Sequence, residues 1–198
     1  MVDVKKIVEL QTQLVARWHE QPIENPFEGL HQSVCTQHKF NFLLWHEEDL
    51  ARSREATDET IAKVKRAIDG YNQQRNDWIE KVDDVFTAML EKQNVTPAED
   101  ARLNTETPGS VIDRLSIMAL RIFHMDEQLQ RDDVDESHIE SVTRKLAICR
   151  LQQDELSQSL QELLDDIFAG TKRHRTYRQF KMYNDPTLNP YLYGAEAA

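Results

Sequence analysis

Polar side chains that interrupt an apolar helical stripe mark the places where chemistry can sit, and this chain has two such interruptions. The first lies in "HKFNFLLWHEED", residues 38–49. At about 100° per residue this run covers most of a helix's circumference, so the helix is buried on several sides. Along one side Val34, His38, Asn41, Trp45, Glu48 and Arg52 recur at alternating spacings of four and three, mixing polar with apolar groups. The second interruption follows downstream, where Asn72 and Arg75 stand between Ile68 and Ile79 in an otherwise apolar stripe.

A tight antiparallel turn near residues 56 and 57 would bring the two interruptions to one level. Asn41 then faces Asn72, His38 faces Arg75, Trp45 faces Ile68 and Glu48 faces Lys65. Asp49 and Asp69 flank that level and are placed to neutralise Arg75. A buried amide or guanidinium without partners costs several kcal/mol, so these groups must satisfy one another or a ligand. Two readings follow. In one, the layer is a closed network that fixes helix register. In the other, Arg75, Lys65 and His38 hold a small anionic ligand, a phosphorylated sugar or nucleotide-sugar, while Glu48, Asp49 or Asp69 accepts a proton. Farther along, Asp113 sits among Ile117, Leu120 and His124. Pairing about a turn near 133 sets it opposite Gln153, in a separate cluster nearer His31.

Other chemistry is absent from the pattern. There is no HExxH, no paired Glu-x-x-His, no GxGxxG and no P-loop. His46, Glu47, Glu48 and Asp49 are ligand types, but consecutive residues splay around a helix and at most two could reach one ion. No metal and no cofactor is expected. Cys35 and Cys149 form no CxxC pair and read as small core residues in a reduced compartment.

The elements that must position these residues are helical. Over 198 residues, 39% hydrophobic and 30% charged, only 5 are Gly and 6 Pro, which excludes both a disordered chain and a turn-rich β fold. The apolar period gives helices over about 3–20, 28–54, 58–93, 108–131 and from "DDVDE" to Gly170. Short connections make two antiparallel hairpins. The fold class is all-α: a bundle of four long helices plus an N-terminal helix, with "NVTPAEDARLNTET" as the longest irregular loop. The domain organisation is a bundle over 1–171 and a basic, Tyr- and Pro-rich tail over 172–198.

Charge is unevenly distributed. The net charge is -11, which argues against nucleic acid and anionic lipid as partners of the whole surface. Yet Lys172, Arg173, Arg175, Arg178 and Lys181 are clustered with no acid among them. This tail is read as a strap across the acidic bundle, with Tyr177, Phe180, Tyr183 and Leu188 packing, or as the contact to a protein partner or homodimer. No apolar segment has the length of a signal peptide core or of a membrane span, so a cytoplasmic protein without membrane insertion is expected.

Four separated stretches, "HKFNFLLWHEEDLAR", "KRAIDGYNQQRNDWIEKVDD", "TPGSVIDRLSIMALRIFHM" and "YRQFKMYNDPTLNPYLY", together resemble the bacterial domain-of-unknown-function family 4254 over residues 5–193. The resemblance implies a helical protein without an established activity. Members of that family are often encoded near glycosyltransferases of envelope polysaccharide assembly, which implies an accessory or scaffold role in that process. The family's motif residues fall on Asn41, Trp45, Glu48, Asp49, Arg52, Asp69, Asn72, Arg75, Asp113 and Arg114. No catalytic role carries over with them, so whether the protein is an enzyme stays open.

Overall fold

A computed structural model of the chain describes residues 2–193, the side chains of Tyr183 and Tyr193 excepted. Five long helices carry the fold: α1 (Val4–Glu20), α2 (Gly29–Ala51), α3 (Asp58–Lys92), α4 (Pro108–Gln128) and α5 (Glu136–Phe168). Their starts follow from local chemistry. Asp3, Thr57, Thr107 and Asp135 each accept a hydrogen bond from a main-chain N–H of the first turn, satisfying donors that a helix leaves orphaned. Pro108 fills the first turn of α4, where its missing N–H costs nothing. At the other end of α5, Gly170 takes a left-handed φ of 76°. Its N–H reaches Ile167 O and that of Thr171 reaches Asp166 O, closing the helix.

Contacts between α2 and α3 run in opposite directions along the two helices. Phe40 meets Tyr71, and Leu44 packs with Val64 and Ile68 in a small cluster. Contacts between α4 and α5 do the same: Met125 meets Cys149 and Asp126 meets Arg150, while Val111 and Arg114 lie beside Leu160 and Leu163. The main core lies elsewhere. Ile7, Leu14, Val15 and Trp18 of α1 bury against Val34 and Phe42, the C-terminal half of α3 at Val82 and Phe86, and Ile112, Leu115, Leu160 and Leu164. So α1 is an integral core element, and it is α4 that lies against α1, α2, α3 and α5. Both cysteines are buried and unbonded. No helix among the described residues is long and apolar enough to cross a membrane.

Two stretches differ from expectation. The loop after α3 and the segment after α5 meet in a two-residue parallel pairing, β1 (Arg102–Leu103) with β2 (Lys172–Arg173). Two residues carry no alternation, so nothing in the sequence signals such a bridge. The tail then runs back along α3 through polar contacts: Arg178 to Glu80 and Asp84, Gln179 N–H to Glu80, Lys181 to Asn72 O and Asn184 to Gln73. The expected apolar packing of the strap is not what holds it. Tyr177 and Leu188 are exposed, and Phe180 is 81% exposed. A strap fixed by ion pairs over an acidic helix has no apolar groove to fill. The side chain of Tyr183 lies outside the described residues.

Candidate functional site

The site is built on Asp113. This carboxylate sits in the first half of α4 and is buried, with 6% of its side chain exposed. Gln37 and Asn41 of α2 donate to its Oδ1, the latter at 2.9 Å. From α3, Arg75 donates through Nε to Oδ1 at 2.8 Å and through Nη2 to Oδ2. This is the two-pronged geometry in which guanidinium and carboxylate bind best. Asp113 accordingly pushes the Arg75 guanidinium above its ordinary value, against the opposing effect of burial. Three helices thus meet on one carboxylate.

The network extends one turn along. Asn41 Nδ2 also donates to Ser116 Oγ at 2.8 Å, and Ser116 Oγ lies 2.7 Å from His38 Nδ1. Trp18 of α1 stacks on the His38 ring at 5.2 Å. Burial pushes His38 down from 6.5 to about 3, so it is neutral at physiological pH, a weak interaction with the Gln11 main chain acting the other way. Cys35, on the same helix, is pushed up to about 11 by burial, which removes it as a nucleophile.

Above this floor opens a cleft of about 440 Å³. Asn41, Trp45, Glu48, Asp49 and Arg52 of α2 line one wall, Asn72 and Arg75 of α3 the other, with Ile117 and Leu120 of α4 at the back. Glu48 and Arg52 pair at 3.0 Å along α2. Arg75 reaches the cleft with 26% of its side chain exposed. Among the described residues, the side chains of Asn72 and Asp49 make no hydrogen bond or ion pair.

A family model for proteins of unknown function, DUF4254, matches residues 31–176. The chain belongs to this family. The DUF4254 match begins after α1 and ends before the last of the four motifs, so it is shorter at both ends than the span those motifs suggest. Nothing matches among curated proteins, and nothing among solved structures. Within the DUF4254 span lie all the residues of the cleft and of the network beneath it, except Trp18 and Gln11.

The structure brings together Asn41, Glu48, Asp49, Asn72 and Arg75 at the cleft, with Asp113 and His38 below it. It does not bring the others. Lys65 and Asp69 form an exposed pair with each other at 2.7 Å. Arg114 points out of α4 to Glu106 at 2.6 Å, over a separate depression between α4 and α5. The expected partners change as well. Arg75 is neutralised by Asp113, not by Asp49 or Asp69, and His38 faces Ser116, not Arg75. Glu48 pairs with Arg52 in place of Lys65. Asp113 belongs to this cluster and not to a second one with Gln153. Facing pairs within a hairpin follow from its turn, but the level at which α4 crosses that hairpin does not. Gln37 and Ser116 escaped the sequence reading for a simple reason: a Gln or Ser in a mixed helix face carries no signal until its partner is known.

Proposed function

We propose that this protein is a small-ligand-binding protein whose ligand is polyhydroxylated: a sugar, or the sugar part of a phosphorylated sugar or nucleotide-sugar, held in the Asn41–Asn72 cleft. One observation carries the reading. Asn72 and Asp49, on the two walls of a cleft that Trp45 also lines, present polar side chains without a hydrogen-bond partner, above a floor where Arg75 and Asn41 are already paired with Asp113. Register alone needs only the floor. An amide and a carboxylate lining one cleft suit hydroxyl groups, which donate and accept at once, while Trp45 offers an apolar ring face.

The balance of charge shifts the reading away from a bare anion. The cleft and its floor hold three carboxylates, Glu48, Asp49 and Asp113, against two guanidinium groups, and each guanidinium already has a carboxylate partner. Lys65 and His38, the other cations of the anion-binding reading, are respectively outside the cleft and held neutral. A phosphate would therefore extend beyond the cleft, with the sugar inside it.

Thermal melting against neutral hexoses, amino sugars, sugar phosphates, nucleotide-sugars and inorganic phosphate tests this, using wild type and Asn72→Ala. A ligand at a hundred times its dissociation constant adds about 2.7 kcal/mol, or about 5–10 °C for a chain of this size. The shift should occur with sugars, not with phosphate alone, and be lost in Asn72→Ala. Equal shifts in both proteins, or none across the panel, would reject the cleft.

A second reading has its own support. Phe180, Met182 and Tyr191 stand exposed on the strap, Tyr191 at 91%, and exposed aromatic groups suit a protein contact. In that reading the chain is an accessory or scaffold subunit for envelope-glycan enzymes, or a homodimer, joined through the tail. Sedimentation of wild type and of Phe180→Ser/Tyr191→Ser would separate a self-association through these residues from a monomer indifferent to them.

A further inference from the structure

Three histidines that no motif connects meet at one point. His19 closes α1, His46 lies on α2 and His124 on α4. One ring nitrogen from each lies within 4.8 Å of the other two. The ring centroids form a nearly regular triangle with sides of 5.1, 5.1 and 5.7 Å, and each pair of planes is close to perpendicular, at 71°, 72° and 82°. Rings stacked only to fill a core need not turn their nitrogens toward a common point. These do.

Two of the three rings are held by the protein through Nδ1. His19 Nδ1 lies 2.7 Å from Val15 O, and His124 Nδ1 lies 2.8 Å from Glu127 Oε2. A carbonyl and a carboxylate on the far nitrogen fix the tautomer and leave Nε2 with its lone pair, which is how metal-binding histidines are prepared. Nε2 of His46 and Nε2 of His124 are buried and have no hydrogen-bond partner. Buried ring nitrogens left without a partner are costly unless something fills the gap. Around the trio, Phe123 stacks on His19 at 4.4 Å, Phe42 lies edge-on to His46 at 4.5 Å and Trp45 stacks on His124 at 4.9 Å. This aromatic jacket would screen an ion from bulk water, while His19, exposed, leaves an entrance.

We propose that His19, His46 and His124 bind one divalent transition-metal ion of the zinc class, leaving at least one coordination position open. Three neutral imidazoles without a carboxylate favour zinc, cobalt, nickel or copper over magnesium or calcium. Zinc–nitrogen bonds of about 2.1 Å put tetrahedral ligand atoms about 3.4 Å apart, so small ring rotations complete the site. The ion would tie α1, α2 and α4 together and lie behind Trp45, whose ring also lines the cleft. The proposal does not depend on what the cleft binds.

The test is metal titration of the full chain after chelator treatment, with Zn²⁺ by calorimetry and Co²⁺ by its visible absorption. One equivalent should bind with a dissociation constant in or below the micromolar range, and Co²⁺ should give the bands of a nitrogen-ligated, low-coordinate ion. His46→Gln and His124→Gln should each weaken binding at least 100-fold, and Glu127→Gln about 10- to 100-fold through loss of its hold on His124. His138→Gln, distant from the trio, should change nothing. Glu127 is exposed, so its variant decides the matter if a histidine variant fails to fold. No stoichiometric binding in wild type overturns the proposal. So does affinity unchanged in Glu127→Gln together with every folded histidine variant, or affinity that falls with His138→Gln instead.

Discussion

Replacing Arg75 by Met keeps an unbranched stem, shorter than the original side chain, and removes the charge that balances Asp113. Asp113 has 6% of its side chain exposed and cannot turn to water. Breaking one side of a buried ion pair costs about 3–5 kcal/mol, because the other charge is stranded. Gln37 and Asn41 still donate to Asp113 Oδ1 in the variant, which sets the loss at the lower end, about 3 kcal/mol. For a chain of this size that is a fall in Tm of about 6–12 °C. Asp113→Leu strands donors in place of a charge, and Arg75 can swing into the cleft, so it should cost about 2–3 kcal/mol. The double variant should then be more stable than the sum of the two losses predicts, by about 2 kcal/mol. Urea unfolding measures all four proteins, the slope being the same if only stability changes. A loss below about 1 kcal/mol for Arg75→Met, or strict additivity in the cycle, would refute the place given to this pair at the junction of α2, α3 and α4.

Three further outcomes follow from the same contacts. His38 takes up a proton near pH 6.5 when unfolded but only near 3 when folded. Between those values the unfolded state binds the extra proton, so stability falls as pH drops through this window, by about 2 kcal/mol from pH 8 to pH 5; His38→Asn should remove that much of the pH dependence of the urea midpoint. A Cβ on Gly109 would lie 2.5 Å from Ile79 O and 2.9 Å from Asp83 Cγ, and main chain cannot yield, so Gly109→Ala should cost about 1–3 kcal/mol in thermal or urea unfolding. Arg178→Ala should leave the urea midpoint nearly unchanged, because the guanidinium that pairs with Glu80 and Asp84 is solvent-exposed and screened by salt, yet it should hasten proteolysis within the strap.

How much of this was legible in the sequence depended on the range of the interaction. The caps at Thr107 and Thr57, the stop at Gly170 and the apolar face of α1 are local, and one turn of helix suffices to read them. The α2–α3 hairpin was legible too, since its short connection leaves few registers, and Asn41 and Asn72 do line one cleft. Asp113 was legible as a misplaced carboxylate but not as the partner of Arg75. That contact depends on how α4 crosses two other helices, which side-chain volumes decide. Of the tail's basic residues, Arg178 meets acids, Glu80 and Asp84, whereas Lys172, Arg173 and Lys181 meet an amide and main-chain carbonyls. The tail's aromatics announced a packing that a polar strap does not provide. Least legible was the histidine trio, whose members lie on three helices and are separated by 26 and 77 intervening residues.

The central claim is that the cleft between α2 and α3 holds a small polyhydroxylated ligand. It is tested most directly by following the Trp45 indole and the Asn41 and Asn72 side-chain amides in ¹H–¹⁵N spectra during titration with sugars. Saturable shifts concentrated on Trp45, Asn72 and Arg75, and absent with inorganic phosphate alone, are the predicted result. Spectra that do not move at these groups under any sugar, or that move equally over the whole surface, would contradict it.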